Sequence, residues 1–267
     1  MRNKFLVALC FLNVFVINAQ NKEIAHKKGN VFFFWGWNRA FYSSSNIHFK
    51  GDDYDFTLHG VTSHDHPIPF SYEDYINPGN ITIPQNNYKI GYFFKDNWAI
   101  SLGTDHMKYI IDQNQEVKTD GYINHPGYEN VIHDGKAVTT EDFITFEHTD
   151  GLNYINAELE YYHNFIKYGV LKLNGLVGAG AGIMYPKTNA KLLDFERNDV
   201  FHFSGWGIDI KVGAELLFWN LFFLRTELKE GYINMPNIAT TSSNNDSASQ
   251  ELLFLQWNYT FGFNWHF

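Results

Sequence analysis

Eight stretches of this chain alternate their side chains with a period of two, over lengths that match one crossing of a lipid bilayer, and this limits the fold more than any other feature. Phe33, Trp35 and Trp37 alternate with Phe34, Gly36 and Asn38, and Tyr88, Ile90, Tyr92 and Phe94 with Lys89, Gly91 and Phe93. Trp98, Ile100 and Leu102 alternate with Ala99, Ser101 and Gly103, and Ile155, Ala157, Leu159 and Tyr161 with Asn156, Glu158, Glu160 and Tyr162. The same pattern returns near 171–173, 206–216, 222–228 and 255–267. Period two marks strands whose faces meet different surroundings, and about 9–11 tilted residues span the hydrocarbon. After residue 29 no segment is long and apolar enough to cross as a helix.

The connections are sorted by parity. Short links fall at 95–97, 165–168 and 218–220; long polar links fall at about 44–81, 110–150, 184–199 and 235–251. An up-and-down barrel with an even number of strands, short turns at one end and long loops at the other predicts this order, whereas a β-sandwich has no reason to sort its loops. The last long link holds Thr240, Thr241, Ser242, Ser243, Asn244, Asn245 and Asp246 and is expected to be mobile. The short runs 47–50, 54–58 and 143–148 would raise the count to ten strands if they entered the membrane; we expect them to prolong hairpins above it.

Alternation alone does not say which face is inside, but bulk does. Aromatic residues make up 18% of the 267, and an eight-stranded interior is just wide enough for its own side chains. Trp35, Trp37, Trp98, Trp206, Trp257 and Trp265 are therefore expected outside, in lipid and at its two interfaces. The opposite face then brings Glu158, Glu160, Asp209, Glu215 and Glu227 together with Lys172, Lys211, Arg225 and Lys229. Buried charges persist only when paired, so a salt-bridge network across the fourth to seventh strands is expected to close the lumen.

Arg2 and Lys4 precede an apolar run from residue 5 to 17 that ends at Asn18-Ala19. This layout predicts a secretory signal peptide over 1–19, a short periplasmic segment over 20–29 and a barrel domain over 30–267. Cys10, the one cysteine, falls inside the signal, so the exported chain is expected to lack disulfides. With 20 basic and 29 acidic residues the formal charge is −9, which gives nucleic acid no overall electrostatic attraction.

The ending Tyr259-Thr260-Phe261-Gly262-Phe263-Asn264-Trp265-His266-Phe267 resembles the terminal strand of the small eight-stranded outer-membrane barrel proteins of bacteria. The resemblance covers roughly 30–267. It implies an integral outer-membrane location, contact with membrane lipid and lipopolysaccharide, and reading of Phe263, Trp265 and Phe267 by the barrel-assembly machinery. No active-site motif comes with it, and the class hosts adhesins, anchors, lipid-modifying enzymes and proteases on one scaffold.

Three sets of residues could carry chemistry. In the first long loop His64 and His66 flank Asp65, among His48, Asp52, Asp53, Asp55 and His59, with His125, His133 and Asp134 in the second; the sharpest expectation is a divalent-metal site at His64 and His66. At the outer rim Asp105, His106, His148 and Asp150 are raw material for acid/base catalysis on outer-leaflet lipid, although Asp105 and His106 point to opposite faces unless a bulge intervenes. Gly178, Gly180, Gly182, Gly205 and Gly207 share one face, which leaves either a pocket or room for side chains from neighbouring strands. The leading functional expectation is a monomeric or weakly associated surface protein with a structural, adhesive or ligand-binding role through its outer loops; the alternative is a lipid-modifying hydrolase or acyltransferase.

Overall fold

The computed structural model of the protein describes residues 25–77, 79–80 and 83–266. The expected signal peptide, the first half of the 20–29 segment and Phe267 lie outside the described residues. In chain order the strands are β1 (Asn30–Tyr42), β2 (Ser45–Lys50), β3 (Tyr54–Val61), β4 (Ser63–His64), β5 (Asn86–Lys95), β6 (Trp98–Met107), β7 (Ile110–Ile111), β8 (Glu116–Ile123), β9 (Lys136–Val138), β10 (Ile144–Glu147), β11 (Leu152–Tyr168), β12 (Leu171–Met184), β13 (Lys187–Leu192), β14 (Asn198–Phe201), β15 (Gly205–Phe218), β16 (Phe222–Ala239) and β17 (Ser247–His266). One helical turn, α1 (Tyr72–Tyr75), lies between β4 and β5.

The ring β1-β5-β6-β11-β12-β15-β16-β17 closes when β17 pairs back onto β1, every pair antiparallel. Its stagger follows from the register. Paired residues lead from Leu173 through Leu216, Leu224, Phe261, Trp35, Tyr88, Thr104 and Ile155 back to the starting strand at Ile183, ten residues further along. Eight strands with that shear tilt by about 40° and leave an interior that side chains fill. The tight turns at one end are 96–97, 169–170 and 219–221. The second falls later than the sequence suggested because β11 passes through a bulge at Asn164/Ile166 and pairs on to Tyr168. In the third, Leu221 N donates to Phe218 O at 2.9 Å while Trp219 and Asn220 sit at φ +52° and +59°, the type I′ geometry that matches strand twist.

At the other end the connections are not simple polar loops. β17 outlasts β1 and pairs its outer end with β2, which continues through β3, β8 and β9. The remaining short strands form a second sheet, β14-β13-β10-β7-β4. The two sheets pack face to face, with Phe49 against Phe146 at 5.6 Å and Phe56 against Phe143 at 5.7 Å between ring centres. They enclose an apolar core that includes Ile47, Leu58, Ile111, Leu192, Met235 and Phe254. The runs 47–50, 54–58 and 143–148 thus belong to this outer cap. The expected mobile link 235–251 shrinks to 240–246, because β16 and β17 continue above the membrane as a hairpin stapled to β2. Within it Thr241 donates to the Asp246 carboxylate at 2.6 Å, and Asn245 reaches Asp52 at 3.2 Å.

The barrel wall presents Ile100, Leu102, Val177, Ile208, Ile210, Leu224, Trp257 and Phe263 outward and exposed. One expectation needs correcting, since bulky rings also occur inside. Phe32, Phe34, Phe93, Tyr162 and Phe223 are buried at the turn end, packed with Ala25. Inward glycines make the room: a Cβ on Gly91 would meet the Phe32 ring at 2.1 Å, and one on Gly262 the Phe223 ring at 2.4 Å.

Candidate functional site: the sealed lumen and the outer cap

The lumen is filled by charged side chains from six strands. Lys211 Nζ lies 2.6 Å from Glu158, 3.1 Å from Glu160 and 3.2 Å from Glu227. Lys229 Nζ lies 2.5 Å from both Asp105 and Glu158, and Lys89 pairs with Glu158 and stands 3.8 Å from Asp105. Arg225 reaches Glu215 at 2.8 Å, Glu227 at 3.5 Å and Glu160 at 3.8 Å. Asp209 accepts from Tyr154 Oη at 2.8 Å, and Lys172 is buried on the same inner face. Neutral groups complete the layer: Asn156 donates to Asp105 at 2.8 Å, Ser101 to Glu160 at 2.6 Å and Asn174 to Glu215 at 3.0 Å. Each carboxylate that water would have solvated meets a cation or a donor, which is the condition for keeping charge out of water.

Below this layer the aromatic plug closes the turn end. The Arg225 guanidinium lies 4.6–5.3 Å from the ring centres of Phe223, Phe34, Phe32 and Tyr162, a cation–π arrangement that is strongest away from water. His26, just before β1, stacks on Phe93 at 4.6 Å and bonds Glu215 at 2.7 Å. The described part of the 20–29 segment therefore folds into the barrel mouth.

Three members of this lumen were not in the charge set read from the sequence. Lys89 has the inward parity of its strand, between outward Tyr88 and Ile90, so alternation alone could have found it. Asp105 was assigned to the rim, and His26 precedes the first strand, where no periodicity exists to place it.

The four proposed catalytic residues do not converge. Asp105 is buried in the lumen beneath Lys229, while His106 faces the other way and bonds Asn153 at 2.9 Å. His148 is buried in the cap beside Tyr109 and Phe146, with Nδ1 3.1 Å from Thr188 Oγ1. Burial drives its pKa down to about 3, so the ring is neutral. Asp150 lies on the surface and pairs with Lys187 at 2.7 Å, which with burial opposing holds its carboxyl below the usual range. The strand parity that separates Asp105 from His106 also separates their solvents.

His64 lies on β4 of the cap, and His66 follows it in the connection to β5. His64 Nδ1 bonds Asp112 at 2.6 Å, His66 is exposed, and among the described residues there is no group of three or more His, Cys, Asp or Glu side chains that could hold an ion. The loop histidines instead pair one by one with carboxylates: His48 with Asp55 at 2.8 Å, His59 with Asp120, and His125 with both Asp53 and Asp194. The inward glycines make no pocket either. The space over Gly178, Gly180 and Gly207 is taken by Lys211, by Asp209 with Glu158, and by the Tyr154 ring.

The cap does carry a recess. Where β17 passes from β1 to β2, a polar groove of about 660 Å³ opens on the outer face, lined among others by Ser44, Asn46, His48, Asn234, Ser249 and Glu251. Glu251 accepts from Tyr232 Oη at 2.7 Å and from Asn234 at 3.3 Å. No lysine or arginine lines it.

No family model matches the sequence, and no curated protein matches it significantly. Among solved structures, the outer membrane protein OprG from Pseudomonas aeruginosa is similar over 92% of this chain and 100% of its own, at 12% identity and a TM-score of 0.45. The outer membrane protein AlkL is similar over 95% and 98%, at 11% identity and 0.39. The outer membrane protease OmpT from Escherichia coli is similar over 88% and 96%, at 12% identity and 0.34. The chain's own wall carries the assignment, because a ring without free edges, apolar outside and charged inside, is satisfied only in lipid. By its fold the chain is a closed eight-stranded antiparallel β-barrel of the kind that spans a membrane.

Proposed function

We propose that the protein is a closed membrane anchor that displays its outer cap as a ligand-binding surface. The observation that carries this reading is the contrast between the two ends of the barrel. The lumen is packed with paired charge and plugged with rings, which leaves no bore, while the outer connections form a two-sheet cap with its own core. Binding surfaces are commonly built from loops held on such rigid supports. The groove at Asn46, Asn234 and Glu251 is the seat we assign to the ligand. Its amides, hydroxyls and single carboxylate, with no lysine or arginine and with His48 already paired to Asp55, suit an uncharged polyhydroxylated molecule such as an oligosaccharide better than a phosphate or an acidic peptide. The hydrolase reading gains no support, since Asp105 lies in the lumen and His148 in the cap core, apart from His106 and Asp150.

The test uses the full protein in nanodiscs on an array of neutral oligosaccharides, beside an Asn46→Ala/Asn234→Ala variant. Binding that falls at least about tenfold in the variant, as loss of two or three neutral hydrogen bonds implies, supports the reading. Equal binding by both proteins, or none by either, removes the groove as the site. Steady conductance in planar bilayers would overturn the closed anchor.

A further inference from the structure

We propose that the connection between β4 and β5 is a shallow membrane anchor that folds back over the outside of the barrel and sets Phe70, Tyr72, Ile76 and Ile83 into the outer-leaflet interface. The inference rests on the barrel reading and is independent of the ligand groove. β5 has ten residues and begins at Asn86, which pairs with Trp37 of β1. At a tilt near 40° ten residues rise about 25 Å, the height of the apolar band of such a barrel, so Asn86 and Trp37 mark its outer edge. Above them β1 has no β5 beside it. The incoming chain covers that open edge: Asn38 N donates to Gln85 O at 3.4 Å and Ala40 N to the Asp65 carboxylate at 3.2 Å.

Between those two points the segment leans outward, on the lipid side. Tyr75, the last residue of α1, is buried with its ring 5.7 Å from that of Trp37, and its hydroxyl donates to Ile68 O at 2.7 Å. Trp37 in turn packs edge-on against Trp35 and tilted against Phe261 of the lipid-facing wall, at 4.7 and 6.2 Å between ring centres. α1 is therefore continuous with the apolar belt. Around this contact Phe70 is 77% and Tyr72 73% exposed, with Ile76 and Ile83 also exposed, while Glu73 is engaged by Asn77 and Asn80. Large rings beside an aromatic belt lower their free energy by entering the headgroup region, about 5–10 Å into the boundary with the acyl chains. The occupant of this face is the bilayer around the barrel.

The experiment places an environment-sensitive fluorophore at Phe70→Cys, at Tyr72→Cys and, as an aqueous control on the cap, at His133→Cys, in protein reconstituted into phosphatidylcholine vesicles. Unsubstituted protein labelled in parallel reports any signal from Cys10. The expected result is a blue-shifted emission at 70 and 72 that a lipid carrying its nitroxide near the headgroup quenches more than one carrying it deep in the chain, with no quenching at 133. Emission and quenching at 70 and 72 equal to those at 133 would overturn the proposal. So would a blue shift that disappears on dilution with lipid and is not quenched, because the face would then be covered by a second copy of the chain.

Discussion

The lumen and the cap are built on the same strands and the same inward parity, yet their interiors are chemical opposites. Along β16 the inward residues are Arg225, Glu227 and Lys229 within the membrane and Ile233 and Met235 above it. Along β17, rising toward the cap, they are Thr260, Asn258 and Gln256, then Phe254 and Leu252. On β11 Glu160, Glu158 and Asn156 give way to Tyr154 and Leu152. On all three strands the switch falls toward the outer end, where the surroundings of the outer wall change from lipid to water. Below that level apolar residues find their solvent outside and the interior can be polar; above it they must be buried inward.

The largest expected effect tests the lumen. Lys229→Met leaves Asp105 and Glu158 short of a counter-charge in a fully buried site and is expected to cost about 3–5 kcal/mol, read as a lower urea midpoint in lipid vesicles. Adding Asp105→Asn should recover a large share, and a single variant as stable as the parent would show that the lumen is not held by these pairs. Next comes the cap core. Phe56→Ala should cost about 3 kcal/mol and open the cap to protease, while the barrel keeps its resistance to heat in detergent. Equal loss of barrel and cap would mean that the two regions are one cooperative unit.

The smallest effect separates two histidines of the cap by pH. Buried His148 takes a proton near pH 3 when folded and near 6.5 when unfolded, so its contribution is present above 6.5 and falls by about 1.4 kcal/mol for each pH unit below. His125 is the reverse. Partial burial opposes its charge, but the Asp53 and Asp194 carboxylates on its two ring nitrogens outweigh that and raise its pKa. Its clasp is therefore complete below 6.5 and lost as pH rises through the raised value, by no more than about 1 kcal/mol for so accessible a pair. Protease resistance of the cap from pH 4 to 8 should show both limbs. His148→Phe should flatten the acid one, and His125→Gln the other; a variant that changes the wrong limb would refute the assignment.

Much of the barrel was legible because alternation is local. The spacing of Trp206, Ile208 and Ile210 against Asp209 and Lys211 shows two faces whatever the rest of the chain does. The cap was less legible: Phe49, Phe56 and Phe146 sit in short runs within polar connections, and which run pairs with which is set by long-range register. The rim quartet misled because residues at neighbouring strand ends need not share a face or a solvent.

By itself the sequence determined the two-faced strands, the parity of the connections and the charge that had to be paired, since each follows from period two and from the cost of unpaired charge in a low-dielectric interior. Only the tertiary structure decided that Lys89, Asp105 and His26 join the lumen, that the outer loops fold into a cored cap, and that α1 rests against Trp37. Those outcomes depend on ring closure and shear, which bring together residues as distant in sequence as His26 and Glu215, 189 positions apart, and no local pattern encodes them.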